Sequence, residues 1–238
     1  RSRGLGDVYK RQLKASLAIF SFLLVNCLAT SPLIAQGPDL SSINVIRILD
    51  RPIIGPDLHS TLGVNIQGPS LIRVPDWVSN PLGKYYLYFA DHKGLYIRLA
   101  YADELTGPWQ IHAPGSLTIE DSYFARPPPP ISDELLAALP AARRGVSGLG
   151  SPVSHDLALE FTLPHIASPD VHVDNENQKI IMYYHGLEGP AFQHSRVATS
   201  DDGIDFFARE ENIGRSYFRT FKHDGMTYAL ACLLYTSP

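Results

Sequence analysis

The sequence predicts an all-β chain of the β-propeller type, and three observations predict it. Tyr85-Tyr86-Leu87-Tyr88-Phe89 leads through a short break to Ile97-Arg98-Leu99-Ala100-Tyr101-Ala102 and then to the Gly107-Pro108-Trp109 turn. The same order returns as Ile180-Ile181-Met182-Tyr183-Tyr184, then Arg196-Val197-Ala198-Thr199, then the Asp201-Asp202-Gly203 turn before Phe206. Matching positions (Tyr85 and Ile180, Leu99 and Val197, Trp109 and Phe206) lie 95 to 98 residues apart. Self-similarity at a near-constant spacing marks a repeat architecture, and repeats made of strands are the blades of a propeller.

Taken from the start, residues 1–12 (RSRGLGDVYKRQ) and 232–238 (CLLYTSP) read as translated sequencing-adaptor scars, to be set aside before any fold reasoning. Without 1–12 the net charge moves from −4 to −7, because four cations and one acid are lost. An acidic chain argues against a nucleic-acid partner held through its phosphates. Residues 13–35 then read as a signal peptide. Leu13 to Leu28 is apolar apart from Lys14, shorter than the ~20 residues a spanning helix needs, and followed by small residues. The expectation is a secreted or periplasmic protein with no membrane contact after cleavage. Cys27 falls in this leader and Cys232 in the terminal scar, so disulfides are not expected to support the fold.

Residues 36–231 form the propeller portion. Ser70–Val74, Tyr85–Ala90, Ile97–Ala102 and Trp109–His112 make a first four-stranded blade, separated by Gly- and Pro-containing turns. Asp170–Val173, Lys179–His185, Arg196–Thr199 and Phe206–Arg209 make a second. Tyr217–Lys222 and Thr227–Ala231, joined at His223-Asp224-Gly225, begin a third. Between blades one and two lies an insertion, 124–161. It opens with Pro127 to Pro130 and then offers a short helix from Asp133 to about Leu139, capped by Ser132 with acids in its first turn.

The segment richest in chemistry is His165-Ile166-Ala167-Ser168-Pro169-Asp170-Val171-His172-Val173-Asp174. Strand alternation places Asp170, His172 and Asp174 on one face and Val171 and Val173 on the other. His92 and His185 each follow the second strand of a blade, so the repeat places them at matching corners of the channel mouth. Arg219 faces the channel if Phe218 and Thr220 face neighbouring blades. A zinc site from His165, Asp170 and His172 is not expected, because a strand does not supply the tight ligand spacing of zinc signatures.

The Ser-Pro-Asp-Val strand at 168–171, the aromatic strand at 85–89 and the endings Ala100 to Trp109 and Thr199 to Phe206 together resemble the five-bladed propeller glycoside hydrolases. This is the arabinanase, xylosidase and invertase superfamily, including glycoside hydrolase family 43. The likeness covers Asn65 to Ala231, about two and a half of an expected five blades.

The resemblance implies cleavage of O-glycosidic bonds in a poly- or oligosaccharide by paired carboxylates around the channel. Asp170 matches the acid that holds a neighbour's charge state, and the general acid is expected beyond Ala231. In the first blade Asn65-Ile66-Gln67-Gly68-Pro69-Ser70 departs from the pattern, with Gly68 where an acid is expected. Asp76 is the alternative catalytic carboxylate. Asn65, Asp91, His92, His172, His185 and Arg219 are the candidate sugar contacts. No organic cofactor is expected, although the resemblance leaves room for a structural calcium ion. The rival reading is a propeller that binds carbohydrate without cleaving it.

Overall fold

The alternation seen in the sequence becomes three antiparallel sheets. The computed structural model describes residues 43–124, 126–144 and 161–231. The leader, both terminal segments and residues 145–160 of the insertion lie outside the described residues. The first blade is Ile66–Arg73 (β1), Tyr85–Asp91 (β2), Tyr96–Ala102 (β3) and Gln110–Thr118 (β4), in that spatial order. The second is Ile166–Asp174 (β5), Lys179–Gly189 (β6), Phe192–Ser200 (β7) and Phe207–Ala208 (β8), with Gly214–Arg215 (β9) also pairing with β7. Arg219–His223 (β10) and Met226–Leu230 (β11) form a two-stranded third sheet. They are joined through Asp224 and Gly225, both at positive φ as a tight hairpin turn of this type requires. The described residues thus hold a four-stranded, a five-stranded and a two-stranded antiparallel sheet, an arrangement consistent with part of a propeller.

Several elements outrun their expected bounds. β4 continues past His112 to Thr118, with Gly115 at φ 77° accommodating an irregularity opposite Ile97 and Leu99. β6 continues past His185 to Gly189. The helix Asp133–Arg144 (α1) also runs beyond Leu139. Pro140 removes one backbone donor, but the Ala-Ala-Arg-Arg sequence that follows favours helix. Its start is as expected, since the Leu135 amide donates to Ser132 Oγ at 3.2 Å. No helix among the described residues is long and apolar enough to cross a membrane.

Alternation sorts the side chains of blade one between two cores. Tyr86, Tyr88 and Ala90 of β2 face blade two and pack with Ile166, Val171, Ile180, Met182 and Tyr184. Leu87 and Phe89 point the other way, into a second cluster with Leu62, Ala100, Ala102 and Trp109, flanked by Ile54 and Ile66. Each fully buried large side chain contributes about 2–3 kcal/mol of hydrophobic stabilisation. Tyr88 also donates its hydroxyl to the Gly203 carbonyl at 2.7 Å, satisfying the one polar atom that its burial would otherwise strand.

Blade three meets blade two across a more polar boundary. Asp170, His172 and Tyr183 lie opposite Thr220 and Phe218. All five residues of β11 are exposed.

Candidate functional site

The site is built on the leading strands of the first two blades, β1 and β5, which run side by side in the same direction. Gly68 approaches Ser168 so closely that a Cβ on Gly68 would lie 2.7 Å from the Ser168 Cα. Two residues on, Ser70 Oγ accepts the Val171 amide at 2.8 Å. Both strands carry the same irregularity. Pairing skips between Gln67 and Ser70 in β1 and between Ala167 and Asp170 in β5. The residue before each proline is left-handed, with φ 64° at Gly68 and 50° at Ser168. Ser168 is 4% exposed and carries that unfavourable conformation without being glycine.

In this register Gly68 corresponds to Ser168, and Ser70 corresponds to Asp170. The constant spacing of 100 between the two x-Pro pairs was the sequence signal that gives this alignment. The spacing of 95 to 98 in the later strands obscured it.

Asp170 is 8% exposed, and three hydrogen bonds converge on its Oδ2. The Thr220 amide donates at 2.7 Å, the Thr220 hydroxyl at 3.2 Å and His172 Nε2 at 2.8 Å. An ionised carboxylate only accepts, so the Nε2 nitrogen carries the proton in this contact. The Thr220 hydroxyl closes the triangle, 2.8 Å from His172 Nε2. Burial alone would raise the Asp170 pKa. The hydrogen bonds from His172 and Thr220 and the nearby charges of His172 and Arg219 outweigh it and hold the carboxyl below its usual range. Arg219 is anchored by carbonyls, donating from Nη1 to Ser168 O at 3.2 Å and Phe218 O at 2.8 Å.

His185 does not match His92. In the pairing, Ala167 faces His185 as Gln67 faces Ala90, so His185 takes the place of Ala90. The two histidines accordingly differ. His92 is exposed, with Nδ1 3.3 Å from Gln67 Nε2. His185 is 1% exposed, its ring 4.1 Å from that of Tyr217 and 6.1 Å from that of His165. Its Nδ1 has no hydrogen-bond partner among the described residues. Burial drives its pKa well down, and burial pushes that of His165 down to about 4, so both rings are neutral.

Asn65, Asp91 and His92 gather at the same end of the sheets. The Asn65 amide donates to Asp91 Oδ1 and the His92 amide to Asn65 O, both at 2.9 Å. The Asp91 carboxylate packs directly over Gly63. Asp76 is placed elsewhere, exposed in the turn beyond the end of β1. That turn is level with Asn175, whose Oδ1 accepts the Trp77 indole at 3.1 Å. Glu188 lies in β6 and forms a two-pronged ion pair with Arg196 at 2.6 and 3.2 Å. Tyr96 is covered by the Arg98 guanidinium, 4.4 Å from its ring centre.

No family model matches the chain. An uncharacterized protein of Acanthamoeba polyphaga mimivirus is 32% identical over 225 residues, covering 88% of this chain and 52% of the relative. The chain therefore spans about half the length of the curated relative it matches. Among solved structures, a family 43 β-xylosidase/α-arabinofuranosidase from a compost microbial metagenome superposes with a TM-score of 0.44 at 15% identity. That superposition covers 75% of this chain and 44% of the enzyme. An α-L-arabinofuranosidase from Clostridium thermocellum gives 0.39 at 18% identity, covering 70% and 41%. A family 43 enzyme from Xanthomonas citri gives 0.44 at 14% identity, covering 75% and 41%.

The assembled groups are one ionised carboxylate, an imidazole bonded to it, a guanidinium beside it and two buried neutral histidines. These can accept and donate hydrogen bonds to hydroxyl groups and stabilise a positive charge nearby. Among the described residues no three His, Cys, Asp or Glu side chains converge as metal ligands. Thr220 was missed from the sequence, because its pairing with Asp170 spans 50 residues and has no local signature.

Proposed function

We propose that this chain belongs to a glycoside hydrolase-like propeller that acts on the O-glycosidic bonds of a poly- or oligosaccharide. The observation that carries the reading is Asp170. It is a buried carboxylate kept ionised by His172, Thr220 and Arg219 where the leading strands of two blades meet. With Oδ2 engaged, Oδ1 is the oxygen that would meet a sugar hydroxyl or a developing positive charge at the anomeric carbon. Glycoside cleavage also requires a second carboxyl, and neither Asp76 nor Asp91 is brought to Asp170. The reading therefore assigns the general acid to residues outside those described. His172 and Arg219 position Asp170, and Asn65, Asp91 and His92 form the rim that a sugar would pass.

A second reading, a propeller that binds carbohydrate without cleaving it, is favoured by one observation. Gly68 and Ser168 occupy the matching positions ahead of proline in both blades, and neither carries an acid. Assay of the full chain and its Asp170→Asn variant against a panel of aryl glycosides and soluble polysaccharides separates the two. Hydrolysis that disappears in the variant while glycan binding persists supports the enzyme. Hydrolysis unchanged by the substitution removes Asp170 from catalysis, and binding with no hydrolysis by either protein establishes the second reading.

A further inference from the structure

We propose that the groove between the outer strands of blades one and two is a second binding surface, for a neutral polysaccharide, separate from the channel. The groove has a volume of about 670 Å³ and is walled by the end of β4, the 120–123 turn and residues 205–208. That lies within the range of small-molecule sites, about 300–1,000 Å³. It sits three strands away from β5, so roughly 14 Å of sheet separates it from Asp170.

Two exposed aromatic residues line it, one from each blade. Tyr123 is 55% and Phe207 72% exposed. Both are mounted rigidly. Tyr123 is flanked by Ser122, fully buried with its hydroxyl donating to Ile119 O at 2.7 Å, and by Phe124, 6% exposed and edge-on to Tyr184. Tyr123 itself is left-handed at φ 60°, an uncommon state for a bulky residue. That conformation lets both neighbours point inward while the Tyr123 ring remains in solvent. On the other wall, Phe206 is buried edge-on against Tyr88, and Phe207 pairs through its backbone with Thr199.

Carboxylates line the same groove. Asp121 Oδ2 accepts the Thr118 hydroxyl at 2.7 Å, Glu120 is ion-paired with Arg126, and Asp205 is exposed. Ser116, also in the lining, carries a buried hydroxyl with no partner among the described residues. Rings that take the apolar face of a sugar, beside carboxylates that accept its hydroxyls, fit a carbohydrate chain. Three acids against one paired arginine leave the groove net negative, which repels an anionic chain. The inference does not depend on Asp170 or on hydrolysis.

The test is native gel electrophoresis of the full chain through soluble arabinoxylan and, separately, polygalacturonate. The wild type, Phe207→Ala, Tyr123→Ala and the double variant are compared, with Phe221→Ala as an exposed-aromatic control. The expected result is retardation by arabinoxylan only, weakened at least tenfold in the double variant and unchanged in the control. Phe207→Ala alone decides the matter if replacement of Tyr123 disturbs folding, since the Phe207 ring is mostly in solvent. Full retardation of the Phe207 variants, no retardation of the wild type by arabinoxylan, or retardation by polygalacturonate overturns the proposal.

Discussion

The Thr220 amide lies 2.7 Å from Asp170 Oδ2, so a single carboxylate ties the first strand of the third sheet to the leading strand of the second. Removing it leaves a backbone donor and a histidine without their acceptor, and hydrogen bonds to charged groups carry about 1.5–3 kcal/mol. Asp170→Ala is expected to lower stability by about 2–3 kcal/mol. Thr220→Val, which keeps the amide, is expected to cost about 1 kcal/mol or less. Urea denaturation of both variants checks the ordering.

Acid sensitivity follows from the buried imidazoles. His165 is neutral in the fold, with its pKa pushed by burial from 6.5 to about 4, and Nδ1 donates to Leu163 O at 2.8 Å. Between those two values the unfolded chain binds the proton that the folded chain refuses. The stabilisation is complete above about pH 6.5 and is lost as pH falls towards 4, with His185 acting in the same direction. For His165 alone this amounts to about 3 kcal/mol. His165→Gln, which keeps a donor for Leu163, should flatten the decline of the urea midpoint between pH 7 and pH 4.5. An unchanged slope would remove His165 as its cause.

The pair of Arg196 with Glu188 is expected to be costly to break from one side. The Arg196 side chain is 6% exposed, its guanidinium is 4.2 Å from the Phe124 ring centre, and Nε donates to Glu210 O at 2.9 Å. Glu188→Gln would leave a buried cation with neutral acceptors in place of its carboxylate partner. Because the Glu188 side chain is 37% exposed, the expected loss is about 2 kcal/mol rather than the 3–5 of a fully buried pair. Adding Arg196→Met should recover most of it, and a double-mutant cycle by thermal denaturation measures the coupling.

Glycine positions give a graded test of the close approach between blades. Gly225→Ala meets only the cost of a left-handed backbone, about 1 kcal/mol, because nothing lies near its Cβ. Gly68→Ala adds a clash with the Ser168 backbone and should cost at least about 2 kcal/mol. Equal losses for the two would mean that the seam between β1 and β5 can open without penalty.

The strands were legible because one face of each is buried, which leaves a period of two in residues such as Tyr86, Tyr88 and Ala90. Their ends were less so. Pro114-Gly115 reads as a turn, yet β4 passes through it by an irregularity that only the pairing with β3 reveals. Asp170 stands out in the sequence because it sits in a distinctive short motif. Its partner Thr220 does not, because the contact is made by folding rather than by spacing. The matching of His92 with His185 failed because the corner between the second and third strands differs between the two blades, so distance from the strand end is not a guide to register. The groove beside Tyr123 and Phe207 is assembled from two outer strands about 90 residues apart, and no local pattern announces it.

The second apolar cluster has a consequence for how the chain is made. Leu62, with Ile54 and Ile66, covers Leu87, Phe89, Ala100, Ala102 and Trp109, so one face of the first blade is roofed entirely by residues 54–111 of the same stretch. These contacts close within one stretch of the chain, nearer in sequence than those between the blades, and contacts nearer in sequence form faster. As the polypeptide leaves the ribosome, this half of the blade can settle before the second has been synthesised. It then offers Tyr86 and Tyr88 as the template on which Ile180, Met182 and Tyr184 condense.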